Sequence, residues 1–250
     1  MKIIVVNNEK GGCLKTTLVT HLASVLVNEG KNVLIVDCDS QSNVSLSFNV
    51  NADKLRYTLY DVLVHDVDIK KVIVNVYWKN ATIDVLPSNN TLRQFESTLK
   101  VRDREGVLKA KLEQIRDDYD YILIDTPPTD SLIVDNAFNC ADEIIIPFQP
   151  EQYSRRSLLN TLEKANKYNV IVKGVVPTIV ELNTNLHKDI IEATKVLSEK
   201  MGFKVTDTII PKSIQYASSI GYDGRPIILT KPNNKLSKTY KTLWEEINNG

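Results

Sequence analysis

The residues best able to do chemistry in this 250-residue chain lie in three short stretches. Residues 5–23, VVNNEKGGCLKTTLVTHLA, put two glycines between Lys10 and Lys15 and follow Lys15 with Thr16 and Thr17. A glycine pair lets the backbone turn its N–H groups toward an anion, and the start of a helix adds positive partial charge at the same place. On that reading Gly11, Gly12, Cys13 and Leu14 form a backbone cradle, Lys15 reaches the β- and γ-phosphates of a nucleotide, and the Thr16 hydroxyl sits on Mg²⁺. The strict pattern G-x-x-x-x-G-K-[ST] is nevertheless broken, because Glu9 and Leu14 stand where it has glycine. Taken alone, the stretch fits either a phosphate loop or a surface turn whose glycines serve only a strand-to-helix reversal. The other two stretches, NVLIVDCDSQSN (32–43) and YDYILIDTPP (119–128), run apolar segments into aspartate: Asp37 and Asp39 in one, Asp125 in the other. Carboxylates so placed can hold a metal or orient a water, and singly they also suit a helix cap or a turn.

Elements of a particular kind must position these groups. Short β-branched runs alternate with longer segments of helical period, the mark of βαβ units around a mostly parallel sheet flanked by helices. Continuously apolar runs at 2–7, 32–37, 121–125, 143–148 and 170–176 predict buried strands, with shorter ones at 82–88 and 207–211. Helical period predicts helices at about 15–29, 101–117, 151–167, 186–201 and 235–248. In an open α/β sheet the carboxyl ends of the strands form the ligand crevice. Asn7, Asn8, Asp37 and Asp125 therefore converge on one edge.

The bulk composition narrows the class further. With 42% hydrophobic residues, 250 residues suffice for one large core, and no linker or repeat divides the chain, so residues 1–250 read as a single α/β domain. Thirty-one basic residues against thirty-one acidic ones leave no global field to draw the protein onto nucleic acid or lipid. Cys13, Cys38 and Cys140 show no C-x-x-C spacing, and no apolar run approaches the ~18 residues of a membrane span. A reducing cytoplasm is the natural setting.

Read together, the three stretches carry a family likeness. Residues 10–17, KGGCLKTT, resemble the deviant Walker A motif K-G-G-x-G-K-T-T of the ParA/MinD ATPases, departing from it only at Leu14. Residues 32–43 resemble the family's D-x-D-P-Q-x-N segment with Ser40 in place of proline, and residues 119–128 resemble its Walker B strand. Downstream, NAFNCADEIIIPFQPEQYS (136–154) and IIPKSIQYASSIGYDGRPII (209–228) are similar to two further family segments, so the likeness covers nearly the whole chain. It implies a P-loop NTPase-like fold and a ParA/Soj-type partition ATPase. Such a protein uses ATP and Mg²⁺, forms a homodimer in the ATP state, binds non-specific DNA and works with a ParB-like centromere-binding adaptor. It segregates plasmid or chromosomal DNA from a cytoplasmic, nucleoid-associated position. Because the loop begins at residue 9, no N-terminal helix-turn-helix extension is expected.

The resemblance also assigns roles. Lys10 matches the lysine that crosses to the partner's phosphates, and Gly11 matches a position where two subunits approach closely. Asp39 matches the carboxylate that orients the attacking water, with Asp37 beside the metal and Asp125 as the metal's outer carboxylate. Thr17 matches the α-phosphate contact, and Pro211 the segment that packs on adenine. Leu14 occupies a position that often needs φ > 0, where a branched residue costs about 1–3 kcal/mol and could weaken nucleotide binding roughly ten- to a hundredfold. Arg155, Arg156, Lys212 and Arg225, with lysines 231, 235, 238 and 241, are the candidates for a DNA-facing patch, and each also fits a solvated surface. Two alternatives share the motifs. One is a MinD-like ATPase that lies on a membrane through a C-terminal amphipathic helix, with no membrane partner expected on the main reading. The other is a nucleotide-sensing dimer whose hydrolysis is impaired by Leu14.

Overall fold

The computed structural model describes residues 1–249 apart from Asn80 and Leu182. The first half of the chain runs β1 (Lys2–Val6), α1 (Lys15–Asn28), β2 (Val33–Asp37), α2 (Asn43–Ser47), α3 (Leu59–Val64), β3 (Val74–Trp78), β4 (Ala81–Leu86), α4 (Phe95–Thr98) and α5 (Val107–Leu112). The second half runs β5 (Tyr121–Asp125), α6 (Leu132–Cys140), β6 (Glu143–Phe148), α7 (Ser154–Lys167), β7 (Ile171–Val180) and α8 (Asn185–Met201). It ends with β8 (Ile210–Pro211), α9 (Gln215–Ser218), α10 (Ile227–Thr230) and α11 (Lys235–Asn249). Among the described residues the strands form one sheet in the order β3-β4-β2-β5-β1-β6-β7-β8. All neighbours are parallel except the β3–β4 hairpin.

This is the mostly parallel α/β sheet that the apolar runs predict, and its core has the matching two-sided form. Successive β1 side chains point to opposite faces, so Ile3 and Val5 join one buried cluster while Ile4 and Val6 join the other. A strand buried on both faces needs no polar alternation, which is why KIIVV reads as a continuous apolar run. α1 packs in the second cluster through Leu18, Val19, Leu22 and Leu26. α11 joins the same cluster through Leu236, Tyr240, Leu243, Trp244 and Ile247.

Two expectations need correction. The helix expected over 101–117 starts at Val107, because the Asp103 carboxylate accepts the Gly106 N–H at 3.1 Å and turns the chain first. It is α-helical only to Leu112 and tightens to a 3-10 segment over Glu113–Asp118. The strand expected over 207–211 shrinks to Ile210–Pro211, since the N–H groups of Asp207 and Thr208 donate to the two carboxylate oxygens of Glu246 on α11 at 2.7 and 2.9 Å. Edge strand β3 and helix α6 carry no expectation from the apolar runs. The VNVYW sequence of β3 alternates burial at the sheet's margin and lacks the continuous apolar signal of the inner strands.

Candidate nucleotide-binding site

The loop between β1 and α1 is tied to its surroundings by side chains from the strand ends. Asn7 donates to Thr126 Oγ1 at 2.9 Å and Asn8 to the Pro147 carbonyl at 2.7 Å, which fixes the exit of β1 against β5 and β6. The Asn8 Oδ1 accepts the Lys10 N–H at 2.9 Å, and Thr178 at the end of β7 donates to the Cys13 carbonyl at 3.1 Å. Gly12 has φ 74°, a left-handed conformation open to glycine without strain. Leu14 shares that conformation at φ 69°, ψ 30° and caps α1, its carbonyl accepting the Leu18 N–H at 2.8 Å. The positive φ anticipated at residue 14 is therefore present, carried by a branched side chain half-buried against the second core cluster. Lys15, the first residue of α1, bends back so that its ammonium donates to the carbonyls of Asn8 (2.8 Å) and Lys10 (3.0 Å), over the mouth of the loop.

The carboxylates meet the loop from the β5–β2 side. In the parallel ladder Asp37 and Asp125 are register partners, and both are fully buried. Thr16 Oγ1 donates to Asp125 Oδ2 at 2.6 Å, while Asp39 N–H donates to Asp37 Oδ1 at 3.1 Å. The remaining oxygens, Asp37 Oδ2 and Asp125 Oδ1, are buried without a hydrogen-bond partner among the described residues. Burial, and then the Asp125 charge, raises the Asp37 carboxyl well above the usual range. Burial likewise raises Asp125, against the opposing pull of the Thr16 hydrogen bond. Two like charges with orphaned oxygens beside a hydroxyl fit a small hard cation, which would satisfy the oxygens and relieve the repulsion. Among the described residues no group of three His, Cys, Asp or Glu side chains could hold a metal alone. Mg²⁺ commonly takes most of its ligands from phosphate and water. Asp39 stands at the rim, its Oδ1 accepting the Gln41 N–H at 2.9 Å.

A cleft of about 930 Å³ is lined by Gly11, Gly12, Leu14 to Thr17, Cys38 to Gln41 and the Thr126–Thr129 loop, while Cys13, Asp37 and Asp125 are fully buried and not among its lining residues. Other candidates lie elsewhere. The Lys10 ammonium points away from the cleft, to Glu151 Oε2 at 2.6 Å and Ser154 Oγ at 3.0 Å, at the start of α7. A Cβ on Gly11 would meet only Pro128, at an ordinary 3.9 Å, so nothing within one chain demands glycine there. Pro211 is half-buried at the end of β8 and is not among the cleft's lining residues. Arg155 and Arg156 are adjacent and exposed in the first turn of α7, whereas Lys212 is paired with Glu181 at 2.6 Å. Arg225 is not a free surface cation: its Nη1 donates to the carbonyls of Phe48 (2.6 Å) and Gly224 (2.7 Å), and its guanidinium lies 6.0 Å from the Trp78 ring. Sequence reasoning missed Glu151 as the partner of Lys10, although it lies in the quoted 136–154 segment. It also missed Arg93, which lines the cleft and had no signal beyond being a lone arginine in an irregular stretch.

Comparison with known proteins supports the fold and gives the family. Residues 1–174 match the family model described as an AAA domain. The chain is 34% identical to the sporulation initiation inhibitor protein Soj of Bacillus subtilis, over 98% of each chain. It is 32% identical to a ParA family protein of Mycoplasma pneumoniae, covering 96% of this chain and 93% of that one. Among solved structures, the putative plasmid partition protein of Borrelia burgdorferi bound to AMPPNP superimposes with a TM-score of 0.82 at 28% identity, over 99% and 98% of the two chains. A strand-to-helix phosphate loop with Lys10 and Lys15, two strand-end carboxylates beside Thr16, and full-length similarity to Soj all lead to one assignment: the chain belongs to the Soj/ParA family.

Proposed function

We propose that this protein is a partition ATPase whose residues 1–250 work as one ATPase domain: it binds ATP with Mg²⁺, dimerises in that state, holds DNA without sequence preference and, with a ParB-like adaptor, positions plasmid or chromosomal DNA. The observation that carries the reading is the Thr16–Asp125–Asp37 constellation, whose two buried carboxylates each keep an orphaned oxygen behind a phosphate-type loop. The AMPPNP named for the Borrelia relative supports the nucleotide. In this reading Lys15 and the loop N–H groups hold the phosphates, Thr16, Asp37 and Asp125 hold Mg²⁺, and Asp39 orients the attacking water. The metal supplies charge neutralisation, and the chain's own part is positioning. Lys10 leaves Glu151 to reach the phosphates of a second subunit, and Gly11 admits that subunit's approach. The protein would act in the cytoplasm, on the nucleoid.

The MinD-like alternative places the C-terminal helix on lipid. Against it, the apolar stripe of α11 is buried in the core. The nucleotide-sensing alternative takes its support from the left-handed backbone of Leu14. Hydrolysis of ATP with Mg²⁺, measured with and without DNA, separates the two: a DNA-stimulated turnover is expected, and none at all would leave the sensor. For dimerisation, Lys10→Ala is expected to keep nucleotide binding and to lose the ATP-dependent dimer in sedimentation velocity. An ATP-driven dimer undiminished in that variant would remove Lys10 from the interface.

A further inference from the structure

Among the described residues two cationic side chains line the cleft, Lys15 and Arg93. Lys10 does not, because Glu151 and Ser154 hold its ammonium. Arg93 comes from the 3-10 turn Asn90–Gln94, which follows β4, the strand next to β2. The turn is anchored from both sides: the Asn89 side chain accepts the Thr91 N–H at 3.1 Å, and Leu92 and Phe95 are buried in the core. From there the Arg93 Nε donates to Ser40 Oγ at 3.3 Å, and Ser40 directly follows Asp39. The loop carrying Asp39 and Ser40 is itself pinned, since Ser88 donates to the Asp39 carbonyl and Ser42 donates to the Ser88 carbonyl at 2.7 Å. Among the described residues no carboxylate forms an ion pair with Arg93. The guanidinium is thus exposed, in no ion pair among the described residues, and held at the residue that follows Asp39; Asp39 and Glu96 are the carboxylates that share its cleft.

Direction follows from the sheet. Asp125 and Asp37 lie on β5 and β2, so the cation-holding side of the loop faces Arg93 and not β6. A Mg²⁺ held by Thr16, Asp37 and Asp125 would neutralise phosphate charge on that same side, where a terminal phosphate would then lie. A guanidinium fork matches phosphate oxygens in pairs, and the match is lost when the terminal phosphate is absent. In the family pattern residue 40 is proline, which offers no side-chain acceptor. The Ser40–Arg93 contact is accordingly a feature of this chain.

We propose that Arg93 is a second phosphate-facing cation, which reads the terminal phosphate and sets the preference for ATP over ADP, with Ser40 holding its guanidinium beside Asp39. The proposal rests on the nucleotide-binding reading above. Titration calorimetry of the full chain with Mg²⁺ and either AMPPNP or ADP tests it, thermal melts confirming that each variant is folded. Arg93→Ala is expected to weaken AMPPNP about tenfold while ADP stays within about twofold. Arg93→Lys should recover part of the loss as a point charge, and Ser40→Ala should shift the AMPPNP-to-ADP ratio the same way by less. An unchanged ratio in Arg93→Ala overturns the role of Arg93. Failure of the unmodified protein to bind either nucleotide overturns the site reading as well, so the two failures are told apart.

Discussion

Leu14 concentrates the tension between sequence and loop. A left-handed backbone costs a branched L-residue about 1–2 kcal/mol, and here it is imposed at the residue just before Lys15. Against that, the half-buried side chain packs on the second core cluster, which returns on the order of 1 kcal/mol. The two nearly offset in stability, but they do not offset in the loop's geometry, where glycine relaxes the backbone that must approach the phosphates. Leu14→Gly is therefore expected to leave the melting midpoint almost unchanged and to tighten a fluorescent ATP analogue roughly three- to tenfold. Equal or weaker binding would mean that the side chain's packing now holds the loop in its working form. The positive φ at residue 14 was legible because the motif names a glycine there. Glu151 and Arg93 were not legible as site residues, since each acts through a contact with a residue far away in sequence.

At the level of elements, α1 does more than present Lys15. It is buried on nearly every side, and His21 in its second turn sits in a fully enclosed aromatic cluster. The His21 ring stacks on Tyr240 of α11 with centroids 4.6 Å apart and meets Tyr216 of α9 edge-on at 5.6 Å. Its Nδ1 donates to the Thr17 carbonyl at 2.7 Å, while Nε2 has no partner. Burial therefore lowers the His21 pKa to about 4 from 6.5. Below pH 6.5 the unfolded chain takes up a proton that the folded chain refuses until about pH 4, so stability falls with pH across that window. The stability is complete above pH 6.5, and the loss approaches about 3 kcal/mol at the acid end. Urea denaturation of the wild type between pH 7 and pH 4.5 should show this slope, and His21→Phe should flatten it, whatever its absolute stability. An identical slope in both would place the acid sensitivity on other groups. The elements that sequence reading located well, β1, β2, β5, β6 and the long helices, are those whose period is set by burial in the sheet. The mislocated ones were decided by single polar side chains: Asp103 before α5, and Glu246 taking the N–H groups that would have lengthened β8. Apolar patterning carries no record of such contacts.

For the molecule as a whole, thirty-one positive and thirty-one negative residues leave no net field, so a single chain has little with which to hold DNA. What it has are local groups: Arg155 and Arg156 exposed in the first turn of α7, and Lys231, Lys235, Lys238 and Lys241, all exposed and in no ion pair among the described residues. Lys235, Lys238 and Lys241 lie on α11 away from the stripe that docks on the core. The proposed ATP-state dimer would double these groups, and each phosphate they neutralised would release a counterion, so affinity should drop steeply as salt rises from roughly 50 to 200 mM. DNA retention with AMPPNP is expected to exceed retention with ADP and to vary little with DNA sequence. Lys235→Glu with Lys238→Glu should abolish it while leaving DNA-independent ATP turnover within about twofold, because neither residue touches the cleft. Retention that ignores the nucleotide, or that survives the double substitution, would move DNA binding off α11 and away from the ATP-switched dimer.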